Sequence, residues 1–254
     1  MYKISILPEE IEKMPLGSFP GKITVIDKNG IDFVRAIAYL GTQKIIGFDT
    51  ETRPVFSPGQ RHNHVALLQL SGAEKAYLFR VGSMGMRKLL CAVLSNPRIL
   101  KVGAAVHDDV RGLQYYRKFE ERGFVDLQKI AYEWGIRDKS VKKLAANILG
   151  VRISKSQQLS NWEADELSAA QQMYAATDAW VCREMYLKLL QSEKHPLTPE
   201  ELNPPQPQPA QAPKEAQQAA PQAEGEEAKP KKRRRRHRRK AKKPAEAAAQ
   251  QDNG

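Results

Sequence analysis

The sequence predicts an α/β domain with a central mixed sheet flanked by helices, followed by a disordered C-terminal tail. Three observations carry this expectation. Short Ile/Val-rich runs mark strands, and longer runs with apolar residues three and four apart mark helices. Strands dominate early and then mix with helices, which is the order of a chain that builds a mixed sheet. From His195 to Gly254 there is no aromatic residue, Leu197 and Leu202 are the only large aliphatics, and 10 of the 16 prolines fall there. Such a segment cannot bury enough apolar surface to offset the entropy of ordering, so residues 1–194 are expected to fold and 195–254 to stay disordered.

The elements follow in order. Lys22–Asp27 alternates as a strand, Ile31–Leu40 has helical spacing, and Ile45–Thr50 is a second strand. Val65–Ser71 and Ala76–Val81 are strands joined by the turn Ser71-Gly72-Ala73-Glu74. Met84–Leu94 is expected to be helical, Ile99–Val102 a short buried strand, and Val106–Phe119 a helix. Phe124–Asp126 precedes a further helix, Val141–Leu149 is a helix ended by Gly150, and a long helix is expected from about Glu163 to Leu190.

The formal net charge is +12, divided as +7 on residues 1–194 and +5 on the remainder. Both parts favour a polyanionic partner, either nucleic acid or an anionic membrane surface. Cys91 and Cys182 lie in apolar stretches with no Cys-x-x-Cys pair, the usage of reduced and buried thiols. Proline and acids interrupt the apolar start, so no signal peptide is expected. No apolar run approaches the ~18 residues that span a bilayer. A soluble, cytoplasmic protein is expected, or a nuclear one in a nucleated cell.

Acidic residues supply the candidate chemistry. Along the strand around Ile46-Gly47-Phe48-Asp49-Thr50-Glu51, side chains alternate faces, so Gly47, Asp49 and Glu51 share one. The two carboxylates then stand about 7 Å apart and raise each other's pKa unless a cation neutralises them. The same pattern also fits a strand end running into a solvated loop. In Val106-His107-Asp108-Asp109-Val110, Asp109 lies at the edge of the apolar stripe of Val106, Val110 and Leu113. Asp108 points elsewhere and is expected only to complement the helix dipole, a role open to Asp109 as well. Asp178 falls mid-helix on a stripe of Leu167, Ala170, Tyr174, Val181, Met185 and Leu189. An unpaired carboxylate there costs several kcal/mol, so it needs a basic partner or a metal. His62 and His64 are too sparse for a metal site and are read as a solvated loop.

Phe48-Asp49-Thr50-Glu51, the segment from Val102-Gly103 through Asp109 to Leu113, and Tyr174-x-x-x-Asp178 occur in that order. Together they resemble the three exonuclease motifs of the DEDDy superfamily, DnaQ-like enzymes that include ribonuclease D and Werner-type 3′–5′ exonucleases. His64–Ser71 resembles the family's second core strand, and Leu159-Ser160-Asn161-Trp162 the segment ahead of its last helix. The resemblance spans about Ile23 to Leu190 and implies a ribonuclease-H-like fold with two divalent cations, Mg2+ or Mn2+. It implies that Asp49 bridges both ions, that Glu51 and Asp178 hold the one that activates water, and that Asp109 serves the leaving-group side. Tyr174 would orient the attacking water, with simple packing as its alternative. Thr50 would meet the terminal nucleotide through its main chain. Lys155 is placed near the backbone of the nucleic acid or is an exposed structural lysine.

The implied function is 3′–5′ exonucleolytic hydrolysis of RNA or DNA, single-stranded or with a free 3′ end, without a small-molecule cofactor or a membrane. The alternatives are an inactive nucleic-acid-binding module of the same fold and a trimmer of very short oligonucleotides. The tail carries a basic cluster at 229–243, within which Lys231, Lys232, Arg233, Arg234, Arg235, Arg236, Arg238, Arg239 and Lys240 are nearly continuous. It has no aromatic residue for stacking, so no sequence-specific reading is expected; it is either a salt-sensitive electrostatic tether or a solvated tail that binds only nonspecifically.

Overall fold

A computed structural model describes residues 1–56, 59 and 63–203. His62 and the basic cluster at 229–243 lie outside the described residues. The strands are β1 (Lys22–Ile26), β2 (Ile45–Thr52), β3 (Val65–Ser71), β4 (Lys75–Phe79), β5 (Leu100–Gly103) and β6 (Phe124–Asp126). The helices are α1 (Pro8–Glu12), α2 (Ile31–Gly41), α3 (Val81–Met84), α4 (Lys88–Ser95), α5 (Val106–Tyr116), α6 (Leu127–Ile130), α7 (Val141–Leu149), α8 (Ala169–Leu190) and α9 (Pro199–Leu202). The sheet order is β1-β4-β3-β2-β5-β6. The β2–β3 and β3–β4 pairs are antiparallel, and the other three are parallel. This is the mixed sheet expected.

Alternation along the strands feeds two apolar layers. Ile46, Phe48, Leu68, Leu70 and Phe79 pack with Phe33 and Leu40 of α2, Leu90 of α4, and Val110 and Leu113 of α5. On the opposite face, Leu67 and Leu78 meet Ala175 and Ala176 of α8, while Val102 meets Val181 and Met185 of α8 and Leu144 of α7. Helices on both faces exclude water from the sheet.

Several boundaries depart from the sequence expectation. The long helix starts at Ala169 rather than Glu163, because Ser168 and Gln171 form a reciprocal capping box that satisfies its first N–H groups. Its buried side is also broader than the stripe drawn from spacing: Ala170 is exposed, and Gln171 and Thr177 are buried. The helix expected over Met84–Leu94 is split, since Gly85 adopts φ +67° and ends the single turn of α3. Beyond residue 194 the chain remains packed for a few residues. Leu197 is buried, its N–H donates to the Tyr132 carbonyl, and Thr198 caps α9. Among the described residues, no helix is long and apolar enough to cross a membrane.

Candidate active site

The site forms where β2 meets α8. A Cβ added to Gly47 would lie 1.8 Å from the Ala179 carbonyl oxygen, so only glycine lets the two backbones come this close. That approach brings Asp178, one residue before Ala179, over the strand face that carries Asp49 and Glu51. Carboxylate oxygens of these three acids lie within 4.8 Å of one another. The β2–β3 register shifts between Glu51 and Thr52, a bulge of the kind that re-aims a side chain at a strand end.

Asp109 approaches from the other side of the sheet and is not among the three acids whose oxygens converge. Its Oδ1 accepts a 2.5 Å hydrogen bond from the Thr50 hydroxyl. Asp108 is exposed, as its helix face suggested. The turn into α5 passes through Ala105 in the left-handed region (φ 59°, ψ 33°), the only non-glycine with positive φ among the described residues. That conformation costs an L-residue about 1–2 kcal/mol. The Ala105 N–H donates to Asp126 Oδ1, which helps hold the turn that delivers Asp109.

Charge is concentrated and uncompensated here. No Lys, Arg or His forms an ion pair with Asp49, Glu51, Asp109 or Asp178 among the described residues. The buried salt bridge left open for Asp178 is therefore not formed. Burial pushes Glu51 up to about 9, helped by the charges of Asp178 and Asp109. Asp49 is also raised well above the usual carboxylate range by burial, then by Glu51, Asp178 and Asp109. Burial lifts Asp178 to about 7, against a lowering by the Tyr174 hydrogen bond. Asp109 rises to about 6 by burial, although Thr50 pulls it back. Tyr174 is raised far above a normal phenol, by burial first and then by the acids, so it keeps its proton and donates.

The remaining expectations divide. Thr50 does touch the site, but its side chain is occupied with Asp109. Lys155 is exposed, between Ser154 and Ser156. Those two serines line a cavity of about 210 Å3 together with Tyr174 and Asp178. His64 is exposed and stacks on Tyr115 at 3.6 Å, away from the acids. Spacing alone did not single out Gln69. It lies directly opposite Asp49 in the β2–β3 register, is fully buried, and has no partner for either amide atom. The only sequence signal was a polar residue at the centre of an apolar strand.

A sequence model described as 3′–5′ exonuclease matches residues 28–192 of the chain. The chain belongs to the 3′–5′ exonuclease family. Within it, the chain is 31% identical over 192 residues to the bifunctional 3′–5′ exonuclease/ATP-dependent helicase WRN of Mus musculus, a match covering 70% of this chain and 13% of that protein. It is 30% identical over 129 residues to ribonuclease D of Gluconacetobacter diazotrophicus, covering 50% of this chain and 33% of that one. The chain thus spans a third or less of these exonuclease relatives. Among solved structures, Escherichia coli RNase D superposes with TM-score 0.59 at 23% identity, covering 67% of this chain and 44% of that one. Trypanosoma brucei RNase D in complex with RNA U12 gives 0.60 at 19% identity, covering 69% and 64%. These superpositions show the ribonuclease-H-like exonuclease fold expected from the motifs.

Proposed function

We propose that this exonuclease domain removes nucleotides from the 3′ end of RNA or DNA by metal-assisted hydrolysis. The observation that carries the reading is the convergence of Asp49, Glu51 and Asp178 oxygens within 4.8 Å with no cationic side chain to balance them. The donors fit hard divalent ions: all are carboxylate oxygens, the set preferred by Mg2+ and Mn2+. Their raised pKa values express the same fit, since a cluster that holds protons for want of positive charge is completed by a cation. Asp49, Glu51 and Asp178 would hold such ions, and Asp109 would act on the leaving-group side. When bound, the ions stabilise both the attacking and the leaving oxygen of an in-line displacement.

The chain's own groups then position the reactants. The protonated Tyr174 hydroxyl, beside Asp178, orients the attacking water. The Thr50 hydroxyl fixes the carboxylate of Asp109. The cavity of about 210 Å3 beside Tyr174 and Asp178 takes the terminal nucleotide, and the exposed Lys155, between two serines of its wall, serves the phosphate backbone. The basic cluster at 229–243 tethers long substrates by counterion release. Such substrates place the protein with the cell's nucleic acid, in the cytoplasm or, in a nucleated cell, the nucleus.

The test uses 5′-labelled RNA, single-stranded DNA and recessed duplex, each with Mg2+ or Mn2+ and with EDTA. A ladder that shortens from the 3′ end and disappears in EDTA is expected. Intact label on all three substrates with both metals overturns the reading.

A further inference from the structure

A second hollow, lined by none of the four acids among the described residues, is not used by the reaction described above. It measures about 840 Å3, and its walls include His64, Arg80, Tyr115, Tyr116, Trp162 and Glu163. Two contacts connect it to the site. Trp162 packs on Tyr174 at 5.9 Å between ring centroids. Glu163 pairs at 3.2 Å with Arg53, two residues beyond Glu51.

The walls are prepared for a flat, uncharged group. His64 and Tyr115 are stacked 3.6 Å apart at 11°, and Tyr116 meets Tyr115 edge-on. Tyr115 remains 63% exposed, which leaves ring surface open to the hollow. Trp162 is only 1% exposed, yet its indole N–H has no acceptor among the described residues. That nitrogen is closed off from the hollow, so Trp162 contributes a packed aromatic wall rather than a donor. A phosphate is a poor fit. Arg80 already gives its guanidinium to the carbonyls of Ala164 and Asp165, and Arg53 is already paired with Glu163. A nucleobase fits these walls, because it offers an uncharged π-face for stacking.

We propose that this hollow seats a nucleobase of the substrate strand on the 5′ side of the scissile phosphate, with Tyr115 as its stacking platform. The inference rests on the exonuclease reading, but its test does not require catalysis. The probe is a 5′-fluorescein octamer of deoxyadenylate, compared with the same octamer made abasic at all but its 3′-terminal position. Binding to the full chain is followed by anisotropy in EDTA at moderate salt, so backbone charge and tail attraction are equal for both probes.

The parent chain is expected to prefer the complete octamer by about fivefold or more, the factor that stacking of one base supplies. Tyr115→Ala should bring that preference close to parity, and Tyr115→Phe should retain it. The proposal is overturned by no preference in the parent, by an undiminished preference in Tyr115→Ala, or by an equal loss in Tyr115→Phe. Failure of the exonuclease reading would show separately, as absence of 3′ shortening with either metal.

Discussion

Two carboxylate sites in this fold are drawn in from the surface, Asp138 buried and the acid cluster half-buried, and the protein treats them in opposite ways. Asp138, before α7, has both oxygens satisfied: Oδ1 accepts from the Ser5 hydroxyl at 2.8 Å and Lys143 Nζ at 3.0 Å, and Oδ2 from the Ile6 N–H at 2.8 Å. It pins the N-terminal segment to the domain. Asp49, Glu51 and Asp178 are packed against one another with no basic partner among the described residues. A carboxylate whose partners come from its own chain serves the fold. A set of acids left unbalanced is a place where the fold gives up stability for something that arrives from solution.

The largest effect should come from cancelling the imbalance. Asp49→Asn or Asp178→Asn is expected to lower exonuclease turnover by about a thousandfold or more, several kcal/mol of barrier. The same variants should melt higher than the parent in EDTA, because a repelling charge is gone. A lower melting temperature in EDTA would place these acids with Asp138 instead. Gly47→Ala comes next. Its methyl group would overlap the Ala179 carbonyl, so α8 must lift from β2, destabilising the domain by about 3 kcal/mol in urea unfolding. Activity should fall with it even where the fold survives.

Asp138→Ala should show the reverse pattern. It leaves the Ile6 N–H and Lys143 without their acceptor and costs about 2 kcal/mol, with turnover per folded molecule retained. The pH dependence separates the two sites further. The folded pKa values of the cluster are raised, to about 9 for Glu51 and about 7 for Asp178. The native state therefore binds more protons than the unfolded chain between roughly pH 4 and pH 9. In EDTA, melting temperature should be highest at the acid end of that window and fall as pH rises through it. Added Mn2+ should restore stability, and more at pH 9 than at pH 6. A flat profile in EDTA breaks the comparison. The smallest effect is at Gln69. Gln69→Leu removes an unpartnered amide and should stabilise the metal-free domain by about 1 kcal/mol, read as a rise of a few degrees in melting temperature.

Much of this was legible in the chain itself. Strand and helix types follow from the period of apolar residues, which is local, and Asp49 and Glu51 share a face because alternation along a strand is obligatory. Asp109 was separable from Asp108 by helix geometry alone. Element ends were harder to read. The capping box at Ser168 and the positive φ at Gly85 override apolar spacing that would carry a helix further. Short-range hydrogen bonds and backbone sterics decide such ends, and they compete with periodicity rather than extend it.

Three things belonged to the tertiary structure. That Gly47 is the point of contact between β2 and α8 depends on a residue more than a hundred positions away. That Thr50 holds Asp109 follows from α5 approaching the opposite face of the sheet. The orphaned groups of Gln69 and Trp162 are polar atoms like any others until packing removes the water around them. By itself the sequence determined which residues carry charge and which face of an element they occupy, because both are properties of the chain's covalent geometry. Whether a given charge or donor finds a partner was decided only when distant segments packed together, because desolvation and pairing depend on neighbours that the order of residues does not name.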